Sequence, residues 1–85
     1  MSDQVLIERR ALKEFNNLPS NMVDRVQAAI DELRSQLRPH NAKKLAGSRD
    51  QWRVRAGDYR VLYEINDHSR EVRVYAIGHR REVYR

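Results

Sequence analysis

Between Gln51 and Tyr63 the chain reads QWRVRAGDYRVLY, with apolar and basic residues alternating at period 2. Successive side chains of a strand face opposite ways, so Trp52, Val54 and Ala56 share one face, and Gln51, Arg53 and Arg55 the other. Gly57-Asp58 breaks the alternation and a second run, Tyr59–Asn66, begins at once. That is a hairpin signal, although Asp-Gly is the commoner order, so the turn type stays open. With Val61, Tyr63 and Ile65 on the core side, Arg60, Leu62 and Glu64 lie opposite, and Arg53, Arg55 and Arg60 converge on one outward patch. A planar guanidinium holds two phosphate oxygens at once, so three of them suit charge growing on a phosphate. This patch is the candidate active site. The competing reading is a solvated strand face with cross-strand partners such as Glu64.

The elements that must position the patch are read from period and punctuation. Val5-Leu6-Ile7 is a short apolar run, expected as a first strand. Ala11, Leu12, Phe15 and Leu18 then recur at helical spacing, with Arg9, Arg10, Lys13 and Glu14 off that face. Pro19 ends this helix, and Ser20 is placed to cap the next. In the second helix Val23, Val26, Ile30, Leu33 and Leu37 form one stripe, Asp24, Arg25, Asp31, Glu32 and Arg34 lie off it, and Arg38-Pro39 lies beyond its end. His40–Asp50 reads as a loop with Lys43 and Lys44 exposed and Leu45 as its apolar anchor. After the hairpin, Asn66-Asp67-His68-Ser69 is a turn. The last strand, Arg70–Ile77, carries Val72, Val74 and Ala76 on one face and Arg73, Tyr75 and Ile77 on the other, and Gly78 breaks it. These readings predict an α+β fold in the order β-α-α-β-β-β: two N-terminal helices on one face of a small, mainly antiparallel four-stranded sheet whose other face is partly open. No linker or repeat divides the chain, so residues 1–85 are expected to form one domain.

The chain of 85 residues carries a formal net charge of +5. Residues 1–42 balance six Lys/Arg against six Asp/Glu, whereas residues 43–85 set eleven against six, so the surplus sits in the half that holds the patch. A surplus placed in this way suggests a polyanionic partner, most often nucleic acid, although it could simply aid solubility. A domain this small has a thin stability margin and is open to a stabilising partner. With no cysteine in the chain, disulfides and thiolate chemistry are excluded. His40, His68 and His79 are too scattered to form a metal site, and no cofactor is expected. No run reaches membrane-spanning length and the first residues do not read as a signal peptide, so a soluble cytoplasmic protein is expected.

ALKEFNNLP in the first helix, LAGSRDQWRVRAGDYRVLYEI in the hairpin and YAIGHRREVY at the end, taken in this order, resemble the RelE toxins. These belong to the RelE/ParE superfamily of bacterial and archaeal type II toxin–antitoxin systems. The resemblance covers nearly the whole chain, and its more specific pieces are WRVR, the G-x-YR-x-x-Y of Gly57–Tyr63 and the terminal Gly-basic-Arg with Val-Tyr. It implies a metal-independent endoribonuclease that cuts messenger RNA in the ribosomal A site, the RNA's own 2′-hydroxyl attacking the adjacent phosphate. It also implies a small RelB-like antitoxin as partner, with operator DNA bound only through the antitoxin complex. Site residues carried over are Arg53, Arg55, Arg60, Arg80 and Tyr84, the last suited to stacking on a base or else to C-terminal packing. Lys43, Lys44, Arg81 and Arg85 read as auxiliary RNA contacts.

Some members have lysines where this chain has Arg53 and Arg55. Arginine stays protonated and makes a poor general base. His79 is the substitute the sequence offers, because an imidazole changes charge near neutrality. His79 or hydroxide is then the expected base, with Arg80 or His79 assisting the leaving oxygen; His79 could equally be a merely exposed residue. Two other functions share the resemblance or the charge: a ParE-like toxin that inhibits DNA gyrase by binding, and a nucleic-acid-binding module without chemistry.

Overall fold

A computed structural model of the chain describes residues 4–39, 41–47 and 49–79. Its elements are β1 (Gln4–Ile7), α1 (Arg9–Asn16), α2 (Ser20–Glu32), β2 (Lys43–Lys44), β3 (Gln51–Ala56), β4 (Tyr59–Asn66) and β5 (Glu71–His79). The strands form one sheet in the order β1-β5-β4-β3-β2. β3, β4 and β5 follow one another on short turns and pair antiparallel. β1 pairs parallel with β5: the two helices carry the chain from β1 to β2 at the opposite edge, and β3, β4 and β5 then bring it back beside β1. The sheet is therefore mixed and five-stranded rather than four-stranded. The extra strand is Lys43–Lys44, paired antiparallel with Arg53 and Trp52; two residues are too few to display a period.

Both helices cover one face. Val26, Ile30 and Leu33 of the second helical segment and Ala11 of α1 pack against Val54, Val61, Tyr63, Val72, Val74 and Ile77. Burying each large aliphatic side chain contributes roughly 1.5–3 kcal/mol. The helical stripes hold with adjustments. Leu12 is exposed, while Met22 and Ala29, outside the expected stripe, are buried. Ser20 is the first residue of α2 and not its cap; Pro19 stands in the cap position with extended geometry. After Glu32 the chain tightens, with Leu33, Arg34 and Ser35 donating to carbonyls three residues back, the usual way a last turn satisfies its free groups.

The expected face assignment in β5 fails midway. Leu62 pairs with Ala76 but Tyr63 pairs with Val74, so Tyr75 is an extra residue in the ladder. An added residue moves everything beyond it to the other face. Ala76 therefore joins the open side and Ile77 the core, the reverse of simple alternation. Glu14 of α1 fixes the irregular segment by accepting the Ile77 N–H at 2.9 Å.

Candidate functional site

The hairpin that carries the arginines is set by its turn. Gly57 has φ +62, and Asp58 does not share the positive φ; glycine first with positive φ is the pattern of a type II′ turn, which suits the right-handed twist of two paired strands. A side chain there is barred twice over. Its Cβ would lie 3.1 Å from Met22 Cε and 3.2 Å from Arg25 Nη1, so α2 packs directly on the hairpin tip.

From this tip the register brings three arginines together. Arg55 stands directly opposite Arg60, and Arg53 opposite Leu62. Lys43 stands opposite Arg53 on the outer side, so it shares their face, whereas Lys44, opposite Trp52, does not. On the inner side Arg60 faces Gly78, a neighbour without a side chain to fill the space beside it. Like charges directly across a ladder are destabilising, so the Arg55–Arg60 pair works against the fold.

The guanidiniums of the trio have no acidic partner among the described residues. Among the described residues the ion pairs join Arg10 to Glu14, Arg34 to Asp31, Arg38 to Asp67, and Arg73 to Glu8 and Glu71. None involves Arg53, Arg55 or Arg60, and Glu64, the partner a solvated face would use, is in none. Arg53 Nη1, Arg60 Nε and Arg60 Nη1 are buried and find no hydrogen-bond acceptor among the described residues. A buried charged donor left unpaired costs more than a lost neutral hydrogen bond. The same face carries an apolar island, Leu62 and Ala76 with Leu45 and Tyr75 packed against them, and Leu62 stands directly opposite Arg53. Arg53 and Arg60 thus aim donors into a partly desolvated surface, where an anionic oxygen is the complementary group.

The remaining predicted site residues divide. His79 stands opposite Tyr59, on the helix side of the sheet, its ring edge-on to Tyr59 at 5.7 Å and 83°. Uninterrupted alternation from Arg73 would put it among the arginines; the extra Tyr75 sends it to the other side. The structure therefore does not bring His79 to the arginine face. Arg80, Arg81, Tyr84 and Arg85 lie outside the described residues. Arg25 is a cation at the hairpin end that sequence reasoning missed, since the α2 stripe assigned it only to the solvated side. A groove of about 350 Å³ lies at the opposite end of the sheet and is lined by Asp50, Glu64, Asp67 and Glu71 with Arg73. Four carboxylates repel a phosphate, so that groove is not the place for phosphate chemistry.

Behind the site, Arg38 lies over the Trp52 ring at 5.2 Å and pairs with Asp67 at 2.9 Å. Tyr63 donates its hydroxyl to the Leu37 carbonyl at 3.0 Å. Burial pushes the Tyr63 phenol up to about 12, with Arg38 pulling it down and Glu32 adding a smaller push upward. Asn41 donates to the Arg55 carbonyl at 3.4 Å. These contacts tie the loop after α2 to the strand that bears Arg53 and Arg55.

A family model described as the ParE toxin of the type II toxin–antitoxin system, parDE, matches residues 5–84. A candidate toxin, RelE1, of Methanocaldococcus jannaschii is 30% identical over 88 residues, covering 100% of this chain and 98% of the relative. Among solved structures, the archaeal RelE–RelB complex of Pyrococcus horikoshii is similar at 27% identity, with a TM-score of 0.83 over 98% of this chain and 100% of that one. The intact RelBE toxin–antitoxin complex of E. coli is similar at 27% identity, with a TM-score of 0.78 over 92% and 96%.

Proposed function

This chain belongs to the RelE/ParE superfamily of type II toxin–antitoxin toxins, and on that premise we propose that it is a ribosome-dependent endoribonuclease that cuts messenger RNA in the A site. The observation that carries this reading is the trio Arg53, Arg55 and Arg60 on one face, with no ion pair and with buried donors lacking acceptors among the described residues. A toxin that acts only by binding has no evident need for such a cluster, and it costs the fold stability.

In the proposed reaction the 2′-oxygen attacks the adjacent phosphorus and the bond to the 5′-oxygen breaks. The products are a 2′,3′-cyclic phosphate and a free 5′-hydroxyl. The protein supplies alignment and charge, not a nucleophile. Arg60 and Arg53 hold the non-bridging oxygens, and Arg55 adds to the field across the ladder. Lys43, with Arg81 and Arg85, holds neighbouring phosphates. Arg80 supports the departing 5′-oxygen, which takes its proton from water, and Tyr84 stacks on a base. With His79 on the other side of the sheet, the 2′-hydroxyl proton passes to hydroxide. The rate should then rise about tenfold per pH unit across the neutral range, with no plateau near the pH where an imidazole titrates. A RelB-like antitoxin is the proposed cytoplasmic partner, supported by the RelE–RelB complexes among the similar structures.

The deciding experiment adds the purified protein to ribosomes programmed with a defined message and maps the new RNA ends. Cuts within the A-site codon that leave cyclic phosphate are expected. The second reading is a ParE-like gyrase inhibitor, favoured by the ParE family model. Intact message together with a block of gyrase supercoiling would select that reading instead.

A further inference from the structure

A second concavity lies at the same end of the molecule on the other side of the sheet. This notch of about 220 Å³ opens between Glu14, Asn17 and Leu18 at the end of α1 and Tyr59, Gly78 and His79 at the strand ends. We propose that it binds one nucleobase of the RNA whose phosphate sits on the arginine face, with preference for a base bearing an exocyclic amino group; the proposal rests on the ribonuclease reading above.

Size and walls define the guest. The volume falls below the roughly 300 Å³ at which pockets for larger organic ligands begin, leaving room for one ring system. The Tyr59 and His79 rings meet at 83°, forming a corner. A flat guest stacked on one ring meets the edge of the other, an arrangement aromatic quadrupoles favour. Asn17 donates its amide to the Lys13 carbonyl at 3.1 Å, which leaves its side-chain carbonyl as an acceptor. Glu14 supplies a carboxylate held by the Ile77 N–H and by Arg10 at 3.6 Å. Both groups accept hydrogen bonds, so they suit the amino group of adenine, cytosine or guanine and leave a uracil carbonyl unmatched.

Position links the notch to the arginines. The Tyr59–His79 pair is the register neighbour of Arg60–Gly78, so notch and arginine face are two sides of the same strand ends, one strand step of about 3.4 Å apart along the chain. A single RNA strand bent over that lip can place a phosphate on Arg60 and an adjacent base in the corner. Arg25 makes no ion pair or hydrogen bond with the described residues and sits against the hairpin turn on the same lip, where it can meet the backbone in passing.

The test is an NMR titration of the purified protein with adenosine and uridine 5′-monophosphates as probes. Adenosine monophosphate should shift the ring protons of Tyr59 and His79, and uridine monophosphate should bind about tenfold more weakly, the discrimination typical of one matched base edge. Tyr59→Leu should weaken adenosine monophosphate about tenfold, the loss of one base–aromatic stack, and Asn17→Ala should abolish the preference over uridine. Unmoved Tyr59 and His79 rings, or equal binding of both nucleotides, would overturn the proposal; the wild-type titration decides even if Tyr59→Leu does not fold. Cleavage on ribosomes with unmoved rings rejects the notch alone. Ring shifts without cleavage support the notch and reject the ribonuclease reading.

Discussion

At the end of the sheet where β3 begins, Arg38 reaches Asp67 and lies over Trp52, and Arg73 reaches Glu71 at 3.4 Å and Glu8 at 3.8 Å. At the end where β3 turns into β4, Arg53, Arg55 and Arg60 meet no carboxylate among the described residues, two of them face each other, and three of their nitrogens are buried without acceptors there. The same side chain is thus used in two ways within one small sheet. Where acidic partners are present, arginine fastens loops to strands. Where they are withheld, it is left poised for an anion, at a cost in stability that the far end and the core must offset.

The comparison breaks most visibly at Arg60. Arg60→Ala should lower single-turnover cleavage on programmed ribosomes by about a hundredfold or more, the usual loss of one preorganised charge at a reacting centre. Its melting temperature should hold or rise slightly, because the change removes both an unsatisfied buried donor and the repulsion from Arg55. An Arg60→Ala protein that melts several degrees lower and cuts normally would mean that arginine at the hairpin end is structural after all.

How far this contrast could be read beforehand depends on how local its cause is. The β3–β4 faces follow from residue type alone, since Trp52, Val54, Val61 and Tyr63 can sit only inward, and the arginines are then forced outward together. The helical stripes around Val26, Ile30 and Leu33 are legible for the same reason. What was hidden depends on partners distant in sequence. The Tyr75 bulge leaves no local mark, so Ala76 and Ile77 were assigned to the wrong sides, and His79, placed beyond the strand, was not seen to belong to it. β2 exists only because β3 is there to pair with it. Arg25 gains its place from the hairpin tip packing on α2, and the apolar island on the arginine face from Leu45 and Tyr75 meeting Leu62 and Ala76.

The next test lies at the fastened end. The Tyr63 phenol is raised from 10 to about 12 in the fold, so the folded state holds its proton more tightly than the unfolded chain does. That stability is fully present below about pH 10 and is lost as pH rises toward 12, by roughly 2 kcal/mol in all. Tyr63→Phe keeps the ring, loses the hydrogen bond to Leu37 for about 1 kcal/mol, and should remove the part of alkaline destabilisation due to this group. Denaturant melts at pH 8 and pH 11 check both. Arg38→Ala should cost about 1 kcal/mol, combining an exposed ion pair with a cation–π contact. That is a melting shift of about 4–8 °C in a domain of this size, with cleavage by the folded protein within about twofold of normal.

The smallest effect compares the two turns themselves. At the hairpin end the positive φ falls on Gly57, which accepts it freely, and a Cβ there would press on the side-chain ends of Met22 and Arg25. Gly57→Ala should therefore destabilise by about 1–2 kcal/mol. At the far end the turn is held by Asn66, whose side-chain oxygen accepts from the His68 and Ser69 N–H groups, and the positive φ, +55, falls on Arg70. A left-handed conformation costs a residue with a Cβ about 1–2 kcal/mol, while glycine gives back about 0.5–1 kcal/mol through its freer unfolded state. Because the Arg70 residue also makes an interaction of its own, Arg70→Gly should change stability by no more than about 0.5 kcal/mol in either direction and leave cleavage unchanged. A larger drop in stability would mean that the Arg70 side chain contributes more than its backbone costs, and would place it with Arg38 and Arg73 among the arginines that fasten the far end.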